Sequence, residues 1–264
     1  MTQKESVPSR SPARLRDGTA DRRLRRTLGN DLRASVMDAA AALLFSGIAF
    51  AILAIRLRRG ADPAALEMPS MVGNGGIWPY SLSQAIGWSA LFWSWLTILL
   101  GVSLPILAQR RPARWLTSIE AVHRSTSLTL VGLMVLHAVL LIWDKMGDTL
   151  VTCFVPWTTS YLPGRFPQML GILSFYLAVI LGMGFYARSL VGALAWRTMH
   201  RYFVPAVYML AVWHTFAYGS DVTVANRLGI ALWIMQLPVV AAFAFRISTP
   251  LRRVHPSSAA QQHP

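Results

Sequence analysis

The chain has 264 residues, of which 54% are apolar and only 14% charged, a balance too greasy for an ordinary soluble domain and suited to a bilayer as solvent. Its formal charge of +14 does not imply nucleic acid, because nine of the 25 basic residues fall in the first 34 positions and most others flank apolar runs. The single cysteine, Cys153, excludes an intramolecular disulfide and any cysteine-built iron–sulfur or zinc centre.

Residues 1–34 are rich in Arg, Ser and Asp, hold the cluster Arg22, Arg23, Arg25 and Arg26, and lack apolar periodicity. They read as a disordered basic cytoplasmic tail that can touch anionic lipid. Six uncharged or nearly uncharged runs follow: 39–55, 85–108, 118–143, 167–187, 198–219 apart from Arg201, and 228–245. At ~1.5 Å per residue each is long enough to cross a hydrocarbon core of ~30 Å, the first and last only just. The first run resembles a signal-peptide core, but the long preceding tail and the lack of a small-residue cleavage site favour an anchor. Pro105 and Pro205 fall inside two runs and are expected to bend those helices. Gly73, Gly75 and Gly76 neither follow a strand pattern nor open a βαβ unit, so they read as a turn.

The expected fold is therefore all-α: an integral membrane six-helix bundle over 35–247, with the basic tail before it and a second disordered cytoplasmic tail over 248–264. With the N-terminus inside, eighteen Lys/Arg fall on the inner segments and six on the outer loops, which predicts an inner or plasma membrane protein with both termini in the cytoplasm.

Four of the six histidines lie in the third and fifth runs as two pairs, His123 with His137 and His200 with His214, each 14 residues apart. At ~100° per residue, 14 steps end ~40° short of four turns, so both imidazoles of a pair share one helix face ~21 Å apart along the axis. The two runs have the same direction. The spacing thus predicts His123 opposite His200 at one depth and His137 opposite His214 at another. Imidazole is the common nitrogen ligand of iron, and two on facing helices can fill both axial positions of a heme, so the pattern points to two stacked b-type hemes. Arg124 and Arg201 directly follow the first histidine of each run, where a guanidinium could meet a heme propionate. Ligands ~21 Å apart on one helix cannot share a zinc or copper ion, and the nearest carboxylate, Glu120, reads as an ion-pair partner of a neighbouring Arg. Phe203 lies near the histidine face and reads as packing before it reads as part of an electron path. His255 and His263 lie in a polar stretch and read as solvated. The alternative is that the four intramembrane histidines pack helices by bonding backbone, Ser or Thr groups.

The stretch Trp196-Arg197-Thr198-Met199-His200-Arg201 opening the fifth run, and Trp213-His214-Thr215-Phe216 closing it, resemble the ferric reductase-like transmembrane domain. Shorter likenesses are Val155-Pro156-Trp157, Ser160-Tyr161, Leu170-Gly171-Ile172 and Tyr218-Gly219-Ser220-Asp221, so the resemblance covers about residues 85–225. The superfamily includes the membrane halves of NADPH oxidases and ferric reductases and the heme-binding subunit of periplasmic methionine sulfoxide reductase; stand-alone bacterial members look most similar. The resemblance implies six helices, bis-histidine b hemes held by His123/His200 and His137/His214, and electron flow from a cytoplasmic donor to an extracytoplasmic acceptor. Enzymes of that family usually carry a flavin and nicotinamide domain. About 19 residues follow the last run here, so FMN or FAD would be supplied by a partner.

The leading expectation is the heme-bearing membrane component of an oxidoreductase system. Its donor would be a cytoplasmic flavin reductase or quinol, and its acceptor a protein, ferric ion or oxygen. With the inside negative, moving an electron outward is favourable by ~2.3 kcal/mol per 100 mV and needs no pump. Two other readings stay open: a quinol-oxidising diheme cytochrome b subunit, and a non-redox membrane scaffold or transporter with structural histidines.

Overall fold

The computed structural model describes residues 12–61, 78–108, 111–144, 148–159, 164–219, 221–222 and 226–248. These form eight α-helices and no strand. In chain order they are α1 (Pro12–Arg58), α2 (Trp78–Leu107), α3 (Ala113–Leu140), α4 (Leu150–Phe154), α5 (Arg165–Met183), α6 (Arg188–Val191), α7 (Ala193–Tyr218) and α8 (Arg227–Ser248). Five stretches are long and apolar enough to cross a membrane: Leu24–Arg58, Trp78–Leu107, Ala113–Trp143, Arg165–Met183 and Arg227–Arg246. Helix α7 coincides with the expected fifth span and has 26 residues, but it carries Arg197 and Arg201 in its first three turns and lacks the even apolarity of the five.

The stretch expected as a disordered tail over 1–34 is, from Pro12 onward, part of α1, which runs as one helix to Arg58. Side-chain contacts dock α1 from Asp31 onward. Asp31 is 4% exposed and accepts hydrogen bonds from Arg124 Nε on α3 at 2.8 Å and from the Tyr186 hydroxyl at 2.9 Å. About two turns further along α1, Ser125 Oγ donates to Asp38 at 2.5 Å. Burial, and then the bond to Asp31, push the Tyr186 phenol above its ordinary range, so it stays a donor. The expected tail over 248–264 lies, apart from Ser248, outside the described residues, as does the glycine turn at 73–76.

Helix α2 lies at the centre, packed against α1, α3, α7 and α8, while α5 packs on α3 and α7. Small and hydroxyl side chains let these helices approach. Ser46 Oγ meets Ser89 Oγ at 2.6 Å, Thr97 donates to Thr126 at 3.0 Å, and Ser174 donates to the Val207 carbonyl at 2.8 Å. Outward faces are apolar: Leu44, Ile48 and Ile52 on α1 and Ile234, Leu237 and Val240 on α8 are all exposed, as lipid-facing helices require. At one end Arg56 pairs with buried Asp221 at 2.6 Å, and Gln84 donates to the same carboxylate, gathering the end of α1, the start of α2 and the segment after α7.

Candidate functional site

Helices α3 and α7, which carry the four histidines, share little close backbone contact; α2 and α5 each pack on both. Between α3 and α7 the imidazoles meet in the expected pairs. The ring centroids of His123 and His200 are 6.1 Å apart with planes at 89°, and those of His137 and His214 are 6.4 Å apart at 80°. The first pair lies at the end marked by Asp31 and Tyr186, the second at the end marked by Ser83 and Pro167.

Each of three rings rests in a seat with one construction. His123 Nδ1 bonds the Thr97 carbonyl at 2.9 Å, and a Cβ on Gly101, four residues later, would stand 2.9 Å from its Cε1. His137 Nδ1 bonds the Ser83 carbonyl at 2.8 Å, with Gly87 four residues later at 3.0 Å by the same measure. His214 Nδ1 bonds the Pro167 carbonyl at 2.8 Å, with Gly171 four residues later at 2.9 Å. The carbonyl serves both its helix and the ring through its two lone pairs. Because a carbonyl only accepts, each Nδ1 carries the proton and each Nε2 keeps its lone pair, the tautomer a metal ligand needs.

The fourth seat departs from the pattern. The equivalent carbonyl is Leu181, 14 residues after Pro167, but the position four later is Phe185 instead of glycine. Trp196 Nε1 donates to Leu181 at 3.3 Å, and the indole lies 4.8 Å from the His200 ring at a tilt of 30°. His200 Nδ1 is buried and faces the same Leu181 carbonyl without meeting hydrogen-bond geometry. On the other level, Tyr218 stacks on His214 at 5.7 Å.

Each pair borders a cavity. The His123–His200 cavity is about 1230 Å³ and is also lined by Arg124, Arg197, Arg201 and Arg246. The His137–His214 cavity is narrower, about 160 Å³, and is lined by Leu91, Met134, Phe175 and Cys153. Arg124 does not reach freely into the first. Its guanidinium is held by Asp31 and by Glu120 at 2.9 Å, the ion pair expected for Glu120, and lies 5.4 Å over the Phe185 ring. Arg201 is exposed beside His200, and Arg246 from α8 faces it with like charge. Phe203 is 48% exposed and lines neither cavity.

An imidazole nitrogen binds a transition metal at about 2 Å and the ring centroid lies roughly 1 Å behind it, so two trans imidazoles place their centroids ~6 Å apart. Both observed separations fit. Among the described residues no group of three or more His, Cys, Asp or Glu gathers in one place. Each pair therefore offers two nitrogen donors and leaves the remaining positions to the ligand, which suits a macrocycle that brings its own four. The sequence reading missed the glycine seats, although Gly87 and Gly101 repeat the 14-residue spacing of the histidines they face. No family model matches the chain, and neither a curated protein nor a solved structure does.

Proposed function

We propose that the chain is a six-span, ferric reductase-like membrane protein that carries electrons across an inner or plasma membrane by two b-type hemes, one held by His123 and His200, the other by His137 and His214. The observation that carries this reading is the agreement of both imidazole separations, 6.1 and 6.4 Å, with trans ligation of one metal. When bound, the irons would supply reversible one-electron chemistry.

The chain's own residues supply position and surroundings. The carbonyls of Thr97, Ser83 and Pro167 fix three ring orientations and raise the basicity of the opposite nitrogens. Arg124 is engaged by Asp31 and Glu120, so Arg201 and Arg246, two cations that line the larger cavity, would hold the propionate carboxylates. At the narrower level the flexible Met134 and Leu91 side chains would give way to a macrocycle.

Helix α7 serves as the sixth span: 26 residues measure ~39 Å, and Arg197 and Arg201 sit at the end that the Lys/Arg count places in the cytoplasm. The His123 level then lies toward a cytoplasmic flavoprotein or quinol, and the His137 level toward an outer acceptor. The test uses proteoliposomes loaded with ferricyanide and given a membrane-impermeant reductant. Internal ferricyanide is reduced with the parent protein and not with His137→Ala; equal rates in the two would overturn the reading.

A further inference from the structure

The connection between α3 and α5 does not rise clear of the helices it joins. Helix α5 has 19 residues, ~28 Å at ~1.5 Å per residue and no more than a ~30 Å hydrocarbon core, so its first turn marks one face of that core. Phe175 follows Arg165 by ten residues, which puts its backbone ~15 Å below the face. The Phe154 ring at the end of α4 packs on Phe175 with centroids 5.7 Å apart, and the Tyr176 hydroxyl donates to the Phe154 carbonyl at 2.6 Å. Aromatic side chains lean back over the preceding turn of their helix, which leaves Phe154 about two turns of α5 inside the core. Thr152 lies nearer the face, where its carbonyl accepts from Gln168 in the first turn of α5 at 2.9 Å. Beyond Phe154 the chain returns, for Arg165 at the start of α5 donates to the Thr159 carbonyl at 3.0 Å. The segment thus enters the core beside α5 and comes back out on the same side.

The reversal turns on Trp157, whose φ of 66° is the left-handed conformation that an L side chain rarely adopts. In hydrocarbon, irregular backbone survives only where its polar groups find partners inside the protein. Side chains supply them here. Besides Tyr176 on Phe154 and Gln168 on Thr152, the Thr158 hydroxyl donates to the Val155 carbonyl at 2.7 Å and reaches the Val151 carbonyl at 3.2 Å. Thr149 and Thr152 close a capping box at the start of α4. In water the same backbone groups would be served by solvent.

The segment has two faces. Cys153 and Phe154 line the narrower cavity beside His137 and His214. Leu150, Val151, Val155 and Trp157 are exposed, and no charged residue occurs from position 149 to position 164. Leu173, Tyr176 and Ile180 form an exposed stripe on α5, and the bond from Tyr176 to Phe154 joins that stripe to the segment.

We infer that the segment from Leu150 to Trp157 is re-entrant: it dips into the leaflet at the His137–His214 end and presents Leu150, Val151, Val155 and Trp157 to phospholipid acyl chains, while Cys153 and Phe154 close the narrower cavity from lipid. Acyl chains fit this surface where a partner from the aqueous phase does not, because the patch is uncharged, continuous with the stripe on α5, and below the headgroups. The inference rests on the membrane-spanning helices and not on what the histidine pairs hold.

The test attaches a nitroxide to Val151→Cys and to Val155→Cys, each in full-length protein carrying Cys153→Ser and held in phosphatidylcholine nanodiscs. Power saturation in electron paramagnetic resonance compares collisions with oxygen, which concentrates in lipid, and with a nickel chelate, which stays in water. Leu237→Cys on the exposed face of α8 is the lipid reference, and Arg59→Cys, exposed beyond the end of α1, is the aqueous one. The expected result is that oxygen exceeds nickel several-fold at both segment positions, as at Leu237→Cys, with the order reversed at Arg59→Cys. Nickel collisions at the segment equal to those at Arg59→Cys overturn the inference, as does exclusion of both probes, which would mean that protein covers the patch. Cys153 is buried, so the parent background, with its own labelling subtracted, serves if Cys153→Ser fails to fold.

Discussion

A Cβ at position 101 would stand 2.9 Å from Cε1 of His123: the imidazole occupies the space that any side chain at Gly101 would claim. The same holds for Gly87 with His137 and for Gly171 with His214. Alanine at any of the three must push its ring by a few tenths of an ångström and strain the carbonyl bond that orients it. Each of Gly87→Ala, Gly101→Ala and Gly171→Ala is expected to lower heme content from two to about one per chain, read as pyridine hemochrome absorbance. Gly132→Ala, where a Cβ meets nothing within 4 Å, is the control and should keep both. Full heme content in all three seat variants would refute the seat account.

The Nδ1 of His200, which faces the Leu181 carbonyl outside hydrogen-bond geometry, gives a second prediction. Trp196 now takes the Leu181 carbonyl, and Trp196→Phe removes that competing donor while keeping an aromatic ring. His200 Nδ1 is then expected to donate to Leu181, making Nε2 more basic and favouring the oxidised metal. A redox titration should show the potential of the His123–His200 heme falling by roughly tens of millivolts while the other stays constant. No change, or a shift at the other level, contradicts this.

The histidine pairs were legible because α-helical geometry turns a 14-residue interval into a shared face, and the four residues stand in helices that run parallel. The seats were not, because a glycine inside an apolar helix carries no sign of what fills the space beside it. Gly87 and Gly101 share the interval, but Phe185 breaks the matching series on α5. The docking of α1 was not legible for a different reason. Its Arg-rich composition gives no apolar face, and the contacts that hold it, Asp31 with Arg124 and Asp38 with Ser125, join residues about 90 positions apart.

That docking is itself testable. Asp31→Ala leaves Arg124 with Glu120 alone and deprives Tyr186 of its acceptor, and should destabilise the protein by about 2 kcal/mol. Tyr186→Phe removes one of these bonds and should cost about 1 kcal/mol. Thermal unfolding followed by circular dichroism in detergent should show midpoints in the order parent, Tyr186→Phe, Asp31→Ala. Identical midpoints for all three mean that the N-terminal half of α1 is not docked as described.

Cys153 lies in α4 beside the narrower cavity and is 7% exposed. Burial, with the nearby Asp148 carboxylate adding to it, pushes the thiol up to about 11. A raised pKa keeps the thiol protonated at neutral pH, so at pH 8 it holds about a hundredfold less thiolate than an exposed cysteine. Maleimide labelling of this single thiol should be slow at pH 8 and quicken steadily as pH rises toward 11. Rapid labelling at pH 7 would place Cys153 outside the cavity wall.

The most direct measurement is the heme inventory of detergent-purified protein by reduced-minus-oxidised absorption, taken together with the four His→Ala variants. The account predicts a b-type spectrum with two hemes per chain, one lost in His123→Ala and His200→Ala, and the other lost in His137→Ala and His214→Ala. Heme-free parent protein, or variants that lose both hemes or neither, would contradict the pairing of imidazoles on which the function rests.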